Sequence, residues 1–404
     1  MEAKQIYNLI NDIQKELTGG AQYDETTPSW IIREDLSNLS QVGDKMLDPA
    51  SITAAGERWR DNYVRQLIDR IGRMVFVERG YNRIFPDLRR DEWEFGSIMT
   101  KSRVKRFEAR QNPSWGLTAG QTVNQFEFTP PETFTLFYNN KSAWQIDCSF
   151  ADVQLRESFT SPREMDRFLS MIKSAVERSL DAEMDSIMSR TMNGLMAEKL
   201  SRNNGVVDLL TTYNATVPTA AQVTAQTARF SVEWQRFAAL NFLQYKKRLA
   251  ASTSWFMVSE SDGYDTQTPP DRLRFALHSD IAAALDVYLQ SQTFHNEFTN
   301  IGSFDAVPFW QSSGSASGAF DFDMTTRINA ILPSDGETVV DRNHIIGVMW
   351  DWDAIAVCNT NRRVTSSHNS NGEYFNNFYK VDTMSVIDLM ENAIVFTLGP
   401  GNVT

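Results

Sequence analysis

The chain has 404 residues, 42% of them hydrophobic and 22% charged. That is too long for one ordinary compact domain and too apolar for a disordered chain, so two or three core-forming subdomains are expected. Its 39 basic and 51 acidic residues leave a net charge of -12, which argues against a general nucleic-acid binder, whose affinity comes from neutralised phosphates.

Residues 2–17 predict an amphipathic helix: Ile6, Leu9, Ile10, Ile13 and Leu17 recur at helical spacing, and Gly19-Gly20 stop it. A helix this short is marginal alone, so it must dock on its own chain or on a neighbour. Glu2, Asp12 and Glu16 thin out the cationic face that a membrane-surface helix would need. Residues 21–56 are polar and irregular and read as an extended arm. Residues 57–73 predict a second helix, with Trp59, Tyr63, Val64, Leu67, Ile68 and Ile71 on one face, and Met74-Val75-Phe76-Val77 a short strand.

From about 86 to 158 short alternating runs predict a β-ribbon, among them Asn124-Gln125-Phe126-Glu127-Phe128 and Thr133 to Tyr138. Pro113, Gly116, Gly120 and Pro130-Pro131 break them. The ribbon carries Lys101, Arg103, Lys105, Arg106 and Arg110, either as a solvated strand face or as a projecting arm that seeks an acidic surface. At 161–200 Ser161-Pro162-Arg163-Glu164 has the form of a capping box with proline at the first helical position. The stripe from Met165 to Met196 then steps by three and four. About 35 residues at 1.5 Å each give a beam of roughly 50 Å. The stripe keeps no strict seven-residue seam, which argues against a coiled coil.

Residues 203–230 have the composition of a loop or lid. Beyond them, Trp234 to Leu249 and Asp280 to Leu289 read as helices, Trp255 to Val258 as a buried strand, and Ala306 to Trp310 as an edge strand. Residues 312–318 read as a flexible Ser/Gly loop, and 344–358 and 393–398 as strands.

Catalytic patterns are scarce. The four histidines are dispersed, no phosphate loop or nucleophile elbow occurs, and no cofactor or metal is expected. Cys148 and Cys358 fit no metal or redox spacing and are expected as free thiols in a reducing compartment. Asp351 and Asp353 flank Trp352 in strand-like sequence and are the one candidate acid–base pair, with a solvated strand face or local turn as the alternative. Met1 to Gln5 has no signal-peptide order and no apolar run approaches the roughly 18 residues of a membrane span, so use in a cytoplasm, or in a particle assembled there, is expected.

Several segments together resemble a known family. They are Asn62 to Gly72; Thr133 to Phe159, ending Leu155-Arg156-Glu157-Ser158-Phe159; and His278 to Phe304 with Leu285-Asp286-Val287. Asp351-Trp352-Asp353 followed by Gly372, Tyr374, Phe375, Asn376, Tyr379 and the Ala393–Phe396 run completes the set. The pattern resembles the major capsid proteins of tailed bacteriophages, which have the Hong Kong 97 (HK-97) fold, and is most similar to those of short-tailed phages of Bacillus. The resemblance implies an α+β fold with an N-terminal arm at 1–56 and a helix and strand of the peripheral domain at 57–85. A β-ribbon E-loop at 86–158, a spine helix at 159–202, an apical domain at 203–345 and a return to the peripheral domain at 346–404 follow. It also implies a shell protein and not an enzyme: hexamers and pentamers of an icosahedral virion capsid around double-stranded DNA, assembled in the bacterial cytoplasm with portal and scaffolding proteins and no membrane. Some relatives crosslink through a Lys and an Asn, and no such pair is assigned here.

On this reading the expected intersubunit contacts are Arg103, Lys105, Arg106 and Trp115 on the ribbon, Asp181, Glu183 and Asp185 on a neighbour's spine, and Ile6, Leu9 and Ile13 on the arm. The alternatives are an encapsulin-type compartment shell, a cytosolic oligomeric enzyme built on Asp351 and Asp353, or a head-decoration or baseplate protein. The last would lack the long helix.

Overall fold

The computed structural model describes residues 3–18, 32–33, 35–46, 60–67, 85–90, 99–107, 109–112, 115–122, 126, 128–258, 264–290, 303–311 and 321–399. In chain order it begins with α1 (Ala3–Thr18), α2 (Leu39–Met46) and α3 (60–67). Strands β1 (Met99–Val104), β2 (Thr133–Tyr138) and β3 (Lys141–Ala151) precede α4 (Asp152–Ser158) and α5 (Pro162–Ser201). Then come β4 (Val206–Asp208), α6 (Leu209–Thr216), α7 (Ala225–Ala228), α8 (Val232–Leu249), β5 (Leu273–His278), α9 (Ser279–Gln290) and β6 (Asp305–Val307). The chain ends with α10 (Phe322–Thr325), β7 (Ile328–Ile331), β8 (Val339–Arg342), β9 (Ile345–Asp351), β10 (Ile355–Asn369), β11 (Tyr374–Ile387) and β12 (Ala393–Thr397).

These elements form two compact units. The first comprises Met1–Asn82, Lys141–Asp185 and Asn359–Thr383; the second comprises Arg83–Asn140, Ser186–Cys358 and Met384–Thr404. In the first unit, Ile10 and Ile13 of α1, Val42 of α2, Tyr63, Val64 and Leu67 of α3, and Phe168, Leu169 and Ile172 of α5 share one core. Gln14 is buried beside them because its side-chain oxygen accepts the Ile32 N–H at 2.9 Å. Of the sheet β10-β11-β3, this unit holds β3, β10 from Asn359 on and β11 up to Thr383.

The second unit is built on the sheet β4-β12-β9-β5-β6. Its central strand β9 is buried at every residue, which explains its unalternating sequence Ile345-Ile346-Gly347-Val348-Met349-Trp350. Helix α8 lays Trp234, Ala238 and Phe242 onto the sheet.

Helix α5 runs 40 residues, about 60 Å. Ser161 Oγ accepts the Glu164 N–H at 3.3 Å, while the Glu164 carboxylate pairs with Arg167 at 3.2 Å, one turn along. Gly194 is tolerated inside the helix for a packing reason: a β-carbon there would sit 2.9 Å from Pro333 and 3.1 Å from Ile387. The helix hands over to β4 through Gly205 at φ +70°, where a β-carbon would lie 2.5 Å from the Ala393 carbonyl, so only glycine fits.

Several expectations are corrected. Residues 203–230 are not a loop but β4, α6 and α7: Asp208 caps α6 by accepting the Leu210 and Thr211 N–H groups, and Asn214 bonds Val223 on both its polar atoms. Trp255 to Val258 is a turn rather than a buried strand; Thr253 Oγ1 accepts the Trp255 N–H, and Trp255 is 80% exposed. The edge strand β6 ends at Val307, because Trp310 turns inward and donates its ring N–H to the Ile345 carbonyl at 2.7 Å. β3 does not extend the β1–β2 ribbon; it pairs into the other sheet. Phe126 and Phe128 lie outside any strand. The expected strand at 74–77, the loop at 312–318, and Trp59, Ile68 and Ile71 lie outside the described residues.

Lys199, on the last turn of α5, is buried and donates to the Phe256 carbonyl at 2.7 Å and to Asn204 Oδ1 at 3.3 Å. Burial pulls its pKa down to about 7, with Arg202 adding to the pull and Asp388 opposing it. The folded pKa is therefore below the unfolded one. Between about pH 7 and the ordinary lysine range the unfolded chain holds a proton that the folded chain lacks, so stability rises with pH, by at most about 1.4 kcal/mol per unit. Below that window both states are protonated and the dependence vanishes. Denaturant titrations at pH 7.5 and 9.5 should show the gain in the wild type and its loss in Lys199→Met; equal slopes in the two proteins would exclude this account.

Candidate assembly surface

The ribbon has little support of its own. β1 and β2 pair antiparallel in the register Lys101↔Leu136 and Arg103↔Phe134, and form a two-stranded sheet by themselves. Such a hairpin is marginal in water unless one face is packed. Period-two alternation puts Lys101, Arg103, Phe134, Leu136 and Tyr138 on one face. Thr100, Ser102, Val104, Thr133, Thr135 and Phe137 stand exposed on the other.

The inner face packs on the second unit. Phe134 and Leu136 lie against Met257, Tyr264 and Met390, and Tyr138 against Ala356, Cys358, Met384 and Val386. Between them sits a charge cluster. Lys101 Nζ reaches Asp388 Oδ2 at 2.7 Å and Glu391 Oε1 at 2.6 Å. The Arg103 guanidinium reaches Glu391 at 2.5 Å and Asp388 at 3.3 Å, and donates to Thr266 Oγ1 at 2.9 Å. Burial holds the Glu391 carboxyl above the usual range against the pull of both cations, and raises the Tyr138 phenol with help from Asp388.

Farther out the contacts thin. Lys105 pairs across the ribbon with Glu132 at 3.0 Å, and Arg106 with Asp265 at 2.6 Å while remaining largely exposed. Beyond them the chain presents Phe107, Trp115, Phe126 and Phe128 to solvent, with Trp115 92% and both Phe126 and Phe128 85% exposed. Four such rings expose on the order of 600 Å² of apolar surface. Exposed aromatic rings of this kind are the side chains enriched at protein interfaces.

The expected contact residues thus fall in different settings. Trp115 is fully presented, and Lys105 and Arg106 are on the ribbon beyond its root. Arg103 is engaged within its own chain. Asp181, Glu183 and Asp185 are half-buried on α5 in the first unit. Ile13 is buried in that unit's own core, and the side chains of Ile6 and Leu9 lie outside the described residues. Residues not picked out by sequence reasoning are Asp388 and Glu391, which nothing local distinguishes, and Phe107, Phe126 and Phe128. The sequence puts the last two in an alternating run, and Pro130-Pro131 just beyond is the local sign against a strand there.

Asp351 and Asp353 do not form a free acid–base pair. β9 ends at Asp351, which is fully buried and accepts from Arg272 at 2.9 Å and from the Asp353 N–H at 2.9 Å. Asp353 is held by Arg272 and by Arg90 at 3.2 Å, and the Arg90 guanidinium lies over the Trp352 ring. No helix among the described residues is long and apolar enough to cross a membrane.

The fold is similar to that of a chain in the capsid structure of Staphylococcus phage Andhra, with a TM-score of 0.51 and 8% identity over 80% of this chain and 86% of that one. It is also similar to a chain in the structure of head fiber and inner core protein gp22 of native bacteriophage P68, with a TM-score of 0.50 and 11% identity over 80% and 86%. No curated protein matches the chain by sequence. A mixed helix-and-sheet chain with this long helix and two-stranded ribbon has the HK-97-like fold of tailed-phage capsid subunits. The model of the Phi29-like phage major capsid protein family matches residues 10–397, and the chain belongs to that family. It is a major capsid protein of a tailed phage, a structural protein of the virion.

Proposed function

We propose that this subunit builds an icosahedral shell as hexamers and pentamers around double-stranded DNA, and that the ribbon tip makes the contact between copies. The exposed aromatic tip carries this reading: a family whose members form shells supplies the second copy, and four presented rings supply the apolar area. Arg103 is occupied, so the contact moves from the ribbon's root to Trp115 and its neighbours, with Lys105 and Arg106 as a charged rim facing acidic residues such as Asp181, Glu183 or Asp185 of the next copy. The α1 stripe of Ile6, Leu9 and Ile13 belongs to the same proposal: exchange of α1 between copies would keep the Ile10 and Ile13 contacts while linking subunits.

In this reading assembly takes place in the host bacterial cytoplasm with a scaffolding protein, a portal occupies one vertex, and the DNA is held without sequence preference. The short-tailed Bacillus-phage subtype belongs to the reading as well. The test is expression of the chain with any neighbouring scaffold gene, followed by negative-stain microscopy. Closed shells of uniform diameter are expected. A discrete small oligomer would overturn the proposal, and small DNA-free shells loaded with an enzyme would point to the encapsulin-type alternative.

A further inference from the structure

The buried charge cluster at the ribbon's root does more than hold two strands down. Apolar burial of Phe134, Leu136 and Tyr138 is non-directional: it keeps the ribbon on the surface without choosing an angle. Charge-assisted hydrogen bonds are directional. Here they land on a hydrogen-bonded turn. The Asp388 N–H bonds the Ala354 carbonyl at 2.7 Å, and Asp388 Oδ1 accepts the Met390 N–H at 2.9 Å. That fixes Oδ2, where Lys101 and Arg103 both arrive. The two carboxylates are 1% and 8% exposed, so they need these cations. Lys101 and Arg103 stand two residues apart on one strand and grip the same two acids, which defines a line along β1 and hence a heading for everything beyond it.

We propose that Lys101, Arg103, Asp388 and Glu391 are positioning residues for shell assembly: they aim the ribbon before it meets a second copy. This rests on the reading that the tip docks on a neighbour. Shell closure repeats one contact geometry many times, so a ribbon free to swivel would still bind but would close at the wrong curvature. The ribbon's ion pairs are then an intramolecular setting of direction, and the aromatic tip is the contact itself.

The test replaces all four charges together, as Lys101→Met, Arg103→Met, Asp388→Asn and Glu391→Gln, so that no buried charge is stranded. The full chain is examined by hydrogen exchange and, with scaffold, by electron microscopy. Expected are an unchanged melting profile for the remainder of the chain, amide exchange in 99–104 and 133–138 roughly tenfold faster, and open sheets or misshapen particles in place of closed shells. If the fourfold variant does not fold, Lys101→Met leaves Arg103 bridging both acids and should show the same changes more weakly, and the conservative Lys101→Arg should restore closed shells. Closed shells at wild-type yield from the fourfold variant, or from Lys101→Met where the fourfold variant does not fold, would overturn the proposal. So would misshapen shells with unchanged ribbon exchange. Failure of the tip reading looks different: shells would then form normally when the tip aromatics are removed and the root is intact.

Discussion

Replacing Phe396 with alanine should destabilise the second unit by about 3–5 kcal/mol, the range for deleting a fully buried aromatic ring. Phe396 is on β12, one strand from the centre of the five-stranded sheet, and has no solvent exposure. Its ring meets Phe242 edge-on at 4.9 Å, Tyr245 at 5.7 Å and Phe275 at 6.3 Å. Each such pair adds about 0.5–1.5 kcal/mol beyond area burial, so the upper half of the range is expected. The neighbours cannot close the gap, because Phe242 is fixed on α8 and Phe275 on β5, which is paired on both sides. Denaturant unfolding followed by tryptophan fluorescence reads the loss, and Phe137→Ala on the exposed face of the ribbon serves as control with a change within about 0.5 kcal/mol. A loss at Phe396 no larger than the control's would mean that this aromatic cluster does not hold the sheet.

The same residues show what the sequence could reveal. The Ala393 to Phe396 run is continuous and apolar because β12 is covered on both faces, and a strand of that kind is visible without any partner. Helix α5 was equally legible, since the Ser161 cap and the stripe from Met165 to Met196 are local. The 203–230 region was not. Its Asn/Thr/Ala composition is that of a loop, but Asp208 and Asn214 use those same short polar side chains to cap and brace short helices, and the choice between the two uses is made by packing. Trp255 misled in the opposite way: four apolar residues in a row looked buried, yet only Met257 is fully covered. The ribbon's root lay furthest from view. Lys101 and Glu391 are separated by 290 residues, and no spacing rule links a basic strand to a distant turn.

Substituting Trp115→Ala, Phe126→Ser and Phe128→Ser together should abolish closed shells while leaving the folded subunit intact. All three rings are exposed in the isolated chain, so removing them costs little folding stability. At an interface the balance reverses, since buried aromatic anchors contribute about 2 kcal/mol or more each, and a shell multiplies any weakening by the number of its contacts. The charged rim should matter far less. Arg106 is largely exposed and already paired with Asp265, so Arg106→Glu changes an interaction of about 0–1 kcal/mol and should slow assembly or alter its salt dependence without stopping it. The two substitutions separate the two accounts of the ribbon. If Arg106→Glu stops shell formation and the aromatic triple variant still assembles, the contact is ionic and the tip is incidental. The opposite result is expected, because at moderate salt screening weakens exposed pairs and leaves apolar burial untouched.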